Sequence, residues 1–319
     1  MILNFPVTGN MDDWDNRTTV TEFVLLGLSR QPHVRVALFV FFVVTYAATV
    51  AGNGLIVVLT VVDSHLHTPM YFFLSNLAFI DICYITVAVP QMLAHCIKDK
   101  PIIPLGSCFA QMTIGTSLAQ SECFMLAVMA YDRFVAICSP LRYTLIMNRK
   151  VCVGVAVSLW CSSFVLTAVV LFSQPVHFCY RNVVNHFICE VQAVLKLACS
   201  DTHLNGLSWQ ITCVFTLLFP FTFILVTYGR IGLAVLRIRS ARGKALSTCG
   251  SHLAVVGIFY GTTLSAYLKP QTKTFTDRDK MVAVFYAIVT PMLNPLIYSL
   301  RNRVVKRAFW RLIGRKAEE

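Results

Sequence analysis

Seven long stretches of the sequence are almost free of charged residues, and they constrain the fold more than any other feature. Each contains about 20 or more mostly apolar residues, the length that a helix needs to cross a bilayer. Asp81 interrupts one stretch and Glu122 interrupts another. The stretches are 36–62, 68–97, 108–131, 151–180, 204–229, 245–268 and 281–300. The sequence therefore predicts an all-α membrane protein, a bundle of seven transmembrane helices.

The overall composition supports a membrane protein over a soluble one. Only 13% of the residues are charged and 56% are hydrophobic, whereas soluble domains carry about 25% charged residues. The formal net charge of +12 would suit a nucleic-acid-binding protein. Such a protein would not be this apolar, so the expected partner is a lipid bilayer and not a nucleic acid.

The distribution of basic residues and one glycosylation signal predict the orientation. An odd number of spans puts the two termini on opposite sides, and Lys and Arg are more frequent in the segments that are cytoplasmic if the N-terminus is outside. Asn16 opens an Asn-Arg-Thr acceptor sequence, which fits an extracellular tail. We expect an extracellular tail at 1–35, a bundle at 36–300 and a cytoplasmic end at 301–319, in the plasma membrane.

The segment after the last span predicts a short eighth helix. Its apolar residues recur at intervals of three or four among basic residues, a pattern typical of a helix lying on an anionic inner leaflet. They are Val304, Val305, Ala308, Phe309 and Leu312. Prolines inside the spans predict kinks in helices two, four, five and seven. These are Pro90, Pro175, Pro220, Pro291 and Pro295.

Two acids lie deep in apolar stretches, Asp81 and Glu122. A charge at the centre of a membrane helix costs at least about 2.5–3.5 kcal/mol, so such residues usually face the bundle interior and have polar partners. Asn53 and Asn294 are plausible partners. One interpretation is an internal cation or proton site linked to a conformational switch. The alternative is a polar network that only holds helices together.

A third charged feature, Asp132-Arg133, ends the third span. One hypothesis is a latch in which Arg133 pairs with Asp132 in one state and leaves it in another. The alternative is ordinary anchoring at the membrane interface. Tyr228 and Tyr298 are predicted at a similar depth, where they would offer Arg133 other partners or serve only as aromatic anchors.

Several motifs together give the chain a family resemblance. The most specific are Gly52-Asn53, residues 66–74, residues 129–143, residues 244–253 and residues 291–302. With these motifs the chain resembles an odorant receptor of the tetrapod-type branch of the rhodopsin-like G-protein-coupled receptors. The resemblance covers nearly the whole chain and implies a seven-helix receptor that is not an enzyme.

The resemblance implies two disulfides, Cys108–Cys189 and Cys179–Cys199, whereas the four cysteines alone allow three pairings. Residues 186–190 are similar to a family segment sometimes proposed to bind metal. A cysteine in a disulfide cannot be a thiolate ligand, so we expect no metal at Cys189. The resemblance implies no cofactor.

The ligand pocket is expected among the outer halves of helices three, five, six and seven. Helical spacing puts Thr116, Ala119 and Gln120 on one face. The resemblance adds a set of small, apolar or neutral polar residues, with Tyr260 as the floor. They are Thr212, Cys213, Thr216, Tyr260, Thr263, Tyr267 and Ala287. The set predicts a small, neutral, mostly hydrophobic odorant. Gly115 stands where amine receptors place an acid, and any single residue of the set could instead only pack helices.

The resemblance also implies how such a receptor signals. A ligand favours one of two helix arrangements, Arg133 leaves Asp132, and a basic inner surface that includes Arg239 and Lys244 meets a stimulatory, olfactory-type G protein that raises cyclic AMP. Phe134 departs from the Tyr that the family often carries. The competing hypothesis is a transporter, channel or intramembrane enzyme. The sequence has neither internal repeats nor a nucleophile–base pair at one depth to favour it.

Overall fold

The computed structural model describes residues 20–29, 31–98, 101–237, 242–267 and 277–314. Each predicted span corresponds to a helix, and a short amphipathic helix follows the last one, so the predicted bundle is confirmed. The helices are α1 (Pro32–Val62), α2 (Pro69–Ile97), α3 (Leu105–Cys138), α4 (Arg149–Phe172), α5 (His203–Arg237), α6 (Arg242–Tyr267), α7 and α8 (Arg303–Leu312). In α7, helix Asp277–Val284, a π-helical turn Phe285–Val289 and helix Thr290–Arg301 follow one another.

The helices differ in how clearly their length and hydropathy identify them as membrane spans. In the described part of the chain, α1, α2, α4, α5 and α7 are each long and apolar enough to cross a bilayer. Helix α3 is a sixth if it is counted together with Pro140–Ile146, which bends away from it by 113°. The apolar run of α6 is diluted by Ser, Thr, Gly and His. The predicted kink at Pro175 is wrong, because α4 ends at Phe172.

A small three-stranded sheet covers one end of the bundle, which we call the outer end. It contains β1 (Glu22–Leu25), β2 (Ile102–Pro104) and β3 (Val183–Val184) in the order β2-β1-β3. The sequence analysis did not predict it, because the strands come from three distant segments and none exceeds four residues. The central strand β1 pairs antiparallel with β2 and parallel with β3. The chain before α1 thereby joins the loop between α4 and α5.

The opposite, inner end is organised by contacts of α8. Asn302 precedes this helix and accepts hydrogen bonds from the backbone N–H groups of Val304 and Val305 at 3.0 and 3.4 Å. The Asn302 amide also donates to the Tyr71 hydroxyl at 3.1 Å. Arg311 donates to one carboxylate oxygen of Asp63 at 2.6 and 2.9 Å. These contacts hold α8 against α2 and the turn that follows α1.

Close packing between α1 and α7 depends on one glycine. A Cβ atom at Gly52 would lie 3.0 Å from Cγ of Pro295, tighter than ordinary van der Waals contact. Glycine therefore lets α7 approach α1 at the level of the buried residues Asn53 and Asn294. The Gly52-Asn53 pair thus combines a small residue for close approach with a polar one for a hydrogen bond.

Candidate functional site

A cavity of about 100 Å³ lies in the outer half of the bundle. Its walls come from α2, α3, α5, α6 and α7, and residues 188–191 of the loop before α5 form its roof. An engineered apolar cavity of about 150 Å³ is known to take up benzene, so this space suits a molecule of that order. Apart from two carboxyl groups, its lining is apolar or neutral polar.

Seven of the ten residues predicted for the pocket line this cavity. On α3 the predicted face is present, because residues 112, 115, 116, 119, 120 and 123 all reach the space at the spacing of one helical stripe. The seven residues are Thr116, Ala119, Gln120, Cys213, Thr216, Thr263 and Tyr267.

Thr212, Tyr260 and Ala287 do not line the cavity, and each misses by one position in helix register. On α5 the lining residues are 209, 213, 216 and 217, so Thr212 is rotated by about 100° from that stripe. On α6 the stripe is 259, 263 and 267, and Tyr260 lies beside it. Ala287 belongs to the π-helical turn of α7 and to the same buried apolar cluster as Phe42 of α1, while Tyr286 reaches the cavity.

The structure adds lining residues that the sequence analysis missed. They come mainly from α2, the outer turns of α3 and α5, and the roof, and include aliphatic as well as aromatic and polar side chains. Among them are Tyr84, Gln111, Glu190, Trp209 and Tyr286. Helical periodicity from Thr116 would have found residue 112 on α3. No local signal would have found Glu190, because it belongs to a loop whose position depends on distant contacts.

The roof of the cavity is fixed to α3. Cys108 and Cys189 form a disulfide, as the resemblance implied, and so do Cys179 and Cys199. Next to the first disulfide, the backbone N–H of Cys189 donates to Oε1 of Gln111 at 2.9 Å. Gln111 also donates to the Val87 carbonyl on α2 at 3.0 Å. One covalent bond and one buried amide therefore hold the roof over the cavity.

A histidine is buried inside this roof. His186 is completely shielded from solvent, and its Nδ1 faces the backbone of Ile188 at 3.2–3.3 Å. Burial is the main cause that lowers the pKa of His186 to about 4; Lys280 also lowers it, while the backbone of Ile188 and the charge of Asp279 partly oppose the shift. Oε2 of Glu190 is 3.5 Å from Nε2, too far for a strong hydrogen bond that would keep the ring charged. The ring is therefore neutral at pH 7.

Most donors in the cavity wall already have partners within the protein. Thr216 donates to the Thr212 carbonyl at 2.8 Å, and Thr263 donates to the Phe259 carbonyl at 2.8 Å. The hydroxyls of Tyr267 and Tyr286 lie 3.2 Å apart and bond each other. The wall therefore offers a ligand mainly apolar contact and hydroxyl oxygens, with few donors in need of a partner.

Below the cavity, three buried polar residues form a polar core. Asn294 donates to both carboxylate oxygens of Asp81 at 3.2 and 3.0 Å and lies 3.4 Å from Oε1 of Glu122. Glu122 also lines the cavity. One residue therefore belongs to both the pocket and the polar core, which the sequence analysis treated as separate.

Asn53 is not a partner of either acid, contrary to the sequence-based expectation. Its amide donates to the Thr49 and Pro291 carbonyls, each at 3.1 Å. Pro291 and Pro295 disturb the hydrogen bonding of α7, and a side-chain donor from α1 satisfies one of the carbonyls exposed there. Asn53 therefore stabilises the α1–α7 contact beside the polar core.

At the inner end, Asp132 and Arg133 do not form an ion pair with each other in the described part of the chain. The Asp132 carboxylate accepts a hydrogen bond from the Tyr143 hydroxyl at 2.7 Å. The Arg133 guanidinium contacts the sulfur of Met70 on α2. Asp132 is buried and Arg133 is half-buried. The structure therefore presents the arrangement in which the arginine is separated from its acid.

The two predicted tyrosine partners of Arg133 are engaged elsewhere or unpaired. The Tyr228 hydroxyl lies 2.8 Å from Nδ1 of His252 on α6. The Tyr298 hydroxyl is buried and has no hydrogen-bond partner among the described residues. Phe134 packs with Ile231 and Tyr228 between α3 and α5, where a tyrosine hydroxyl would enter an apolar cluster.

Some predicted site residues lie beyond what the structure describes. Asn16 and Arg239 are outside the described residues, and so is the side chain of Lys244. Within the described residues, no group of three or more His, Cys, Asp or Glu side chains is placed to hold a metal ion. The arrangement is an outer cavity above a buried polar core, with space for a small molecule.

Comparisons with known proteins agree with this architecture. The family model described as olfactory receptor matches residues 42–316. Human olfactory receptor 13H1 is 51% identical over 296 residues, covering 92% of this chain and 96% of that protein. Mouse olfactory receptor 5AR1 is 43% identical over 309 residues, covering 96% and 100%. The crystal structure of squid rhodopsin matches the fold with a TM-score of 0.71 at 19% identity, covering 89% of this chain and 86% of that one.

Proposed function

The chain belongs to the olfactory receptor family of G-protein-coupled receptors, and from that premise we propose that its outer cavity binds a small, neutral, mostly hydrophobic odorant. Members of this family are multi-pass membrane receptors and not enzymes. The observation that carries the ligand proposal is the cavity itself, with its apolar wall and internally paired hydroxyls. The contact residues we propose are the seven predicted ones that line it.

We propose that ligand binding is passed inward through Glu122. This carboxyl is part of the cavity lining and lies within reach of the Asn294 amide on α7. Asn294 precedes Pro295 and contacts Asp81 on α2. A ligand that bound the cavity better in one arrangement of these helices would shift the receptor towards it. A bound cation at Asp81 and Glu122 is a further part of this proposal.

At the inner end we propose that Arg133 is the residue released for contact with the G protein. Two observations support this: Asp132 is held by Tyr143, and Arg133 has no ion-pair partner in the described residues. Tyr228 and Tyr298 are proposed as its later partners. Arg239 and Lys244 would add positive charge nearby. We propose a stimulatory, olfactory-type G protein and a rise in cyclic AMP.

The proposed orientation has the N-terminus outside the cell and the C-terminus in the cytoplasm of a plasma-membrane protein. A direct check is Asn16→Gln, which we expect to increase gel mobility if Asn16 carries a glycan. Deglycosidase treatment of the parent should produce the same increase. A parent band that the enzyme leaves unchanged would contradict an extracellular glycosylated tail.

The test of the function is odorant-dependent guanine-nucleotide exchange in vesicles that contain the receptor and a stimulatory G protein. We expect at least one neutral odorant from a broad panel to accelerate exchange, with no change in solute flux. Odorant-dependent flux without exchange would instead support the transporter or channel hypothesis.

A further inference from the structure

Trp209 stands out among the cavity residues because its only polar side-chain atom has no hydrogen-bond partner in the part of the chain that the structure describes. It lies on the outer part of α5, lines the cavity and is only 5% exposed. Its indole Nε1 is fully buried and has no acceptor within hydrogen-bond distance among the described residues. Leaving a buried donor unpaired is destabilising. A ligand or a water molecule that supplied an acceptor would recover that energy.

The chemistry of the indole makes this unpaired group selective. Tryptophan can only donate a hydrogen bond, whereas Thr and Tyr hydroxyls can donate or accept by rotating. The hydroxyls of Thr216, Thr263, Tyr267 and Tyr286 already have partners in the wall. A ligand group that donates or accepts a hydrogen bond could pair with one of these hydroxyls. The Trp209 indole can pair only with a ligand atom that accepts one.

We propose that Trp209 is the specificity-determining donor of the cavity, and that the receptor prefers small odorants with an acceptor oxygen, such as ketones, esters and ethers, over hydrocarbons of the same shape. This inference rests on the proposed function, because it identifies the ligand class of the same cavity. Trp209 positions the ligand oxygen on the α5 side, while Tyr267 packs edge-on against the indole with ring centroids 6.5 Å apart.

Trp160 offers a matched control. It is also a tryptophan of the bundle, but its indole N–H already has a partner, Oδ1 of Asn76 at 3.4 Å. Trp160 does not line the cavity. Trp209→Phe and Trp160→Phe therefore remove the same kind of donor. The Trp209 donor is unpaired and beside the cavity, whereas the Trp160 donor is paired and away from the cavity.

The first test needs no ligand. We expect both Trp209→Phe and Trp160→Phe to lower the thermal unfolding midpoint of the purified, full-length receptor, because each vacates packed indole volume. Trp160→Phe also leaves Asn76 without its partner, whereas Trp209→Phe removes the penalty of an unpaired buried donor. A fall for Trp209→Phe clearly greater than its vacated volume explains would overturn the proposal, since it would mean that the indole N–H is already bonded.

The second test uses thermal stabilisation by acetophenone and anisole, each compared with ethylbenzene of nearly the same shape. We expect the two oxygen-containing probes to bind the parent roughly three- to tenfold more tightly than ethylbenzene, the size of one neutral hydrogen bond. Trp209→Phe should erase that difference, and Trp160→Phe should preserve it. Equal binding of all three probes to the parent, or an oxygen preference that survives Trp209→Phe, would overturn the inference, as would failure of both oxygen-containing probes to bind.

Binding and signalling are separate readouts here. Probe binding that depends on Trp209 but evokes no nucleotide exchange would support the donor and contradict the proposed G-protein coupling. Nucleotide exchange that is evoked equally by acetophenone and ethylbenzene would support the receptor function and contradict the donor.

Discussion

The outer and inner halves of the bundle differ in the hydrogen bonding of their buried polar groups. In the outer half, the cavity-wall hydroxyls of Thr216, Thr263, Tyr267 and Tyr286 bond within their own helices or to each other, while the Trp209 indole and Nδ1 of His95 have no partner among the described residues. In the inner half, carboxyl groups are buried, and both Oδ1 of Asn294 and the Tyr298 hydroxyl lack partners among the described residues.

This difference suggests which half keeps its structure when a ligand binds and which half rearranges. A wall whose donors are satisfied locally keeps its shape when a ligand enters. A core with unpaired atoms and two neighbouring acids is costly in this arrangement, and another arrangement of the same helices that paired those atoms would compete with it. On the proposed function, recognition would belong to the cavity wall and the conformational change to the polar core and the inner end.

The largest expected effect concerns the rigidity of the outer half. Cys108→Ser breaks the bond that holds the roof to α3, and loss of such a disulfide typically costs about 2–5 kcal/mol. We expect little folded receptor at the cell surface, measured by antibody binding to an N-terminal tag. Cys161→Ser, at an exposed free cysteine of α4, is the control and should behave like the parent. Normal surface levels for both variants would show that the roof does not depend on this bond.

The next effect concerns the polar core. Asn294→Ala removes the amide donor shared by Asp81 and Glu122, and leaving buried acceptors without their donor costs about 1–3 kcal/mol. We expect a lower thermal unfolding midpoint for the purified receptor and altered ligand-free nucleotide exchange. Ser265→Ala, on the exposed side of α6, should stay within about 0.5 kcal/mol of the parent. An unchanged midpoint for Asn294→Ala would contradict the claim that the Asn294 amide stabilises the polar core.

The cavity itself can be filled without disturbing its wall. A side chain at Gly115 would meet no atom within 4 Å of its Cβ, so Gly115→Leu should fold and extend into the open space. We expect at least about a tenfold weaker response to odorants that activate the parent, or about 1.4 kcal/mol. The control is Gly154→Leu, at an equally open position on the exposed side of α4. Equal responses from both variants would place the ligand elsewhere.

A smaller effect should appear with pH in the roof. His186 has a pKa lowered from 6.5 to about 4 in the folded protein, so the folded state binds the proton less well than the unfolded state. Stability is then complete above about pH 6.5 and falls as the pH drops towards 4. We expect a loss of about 1 kcal/mol between pH 6.5 and 5.5 that His186→Gln abolishes. The check is the unfolding midpoint against pH for parent and variant.

The sequence predicts helices well because apolar length and helical period are local properties. The same period correctly placed Thr116, Ala119 and Gln120 on one face of α3. It could not choose between Thr212 and Cys213, because neighbouring positions differ by only about 100° and both residues are small and neutral. It also could not anticipate the π-helical turn, in which Tyr286 and not Ala287 reaches the cavity.

Contacts between distant segments were the other limit. From the sequence, Asn53 and Asn294 were equally good candidates to hydrogen-bond Asp81. In the packed bundle Asn294 donates to Asp81, whereas Asn53 donates to a backbone carbonyl of α7. Likewise, the partner of Asp132 is Tyr143, from a short helix that turns back under α3. Sequence neighbours suggested Arg133 instead.

The central claim is that occupancy of the outer cavity changes what Arg133 does at the inner end. The most direct measurement compares the parent, Arg133→Ala and the control Arg149→Ala in vesicles with a stimulatory G protein, using one odorant that activates the parent. We predict that Arg133→Ala binds the odorant with unchanged affinity, measured by thermal stabilisation, but loses odorant-dependent nucleotide exchange, while Arg149→Ala keeps both. Full exchange by Arg133→Ala would contradict the account.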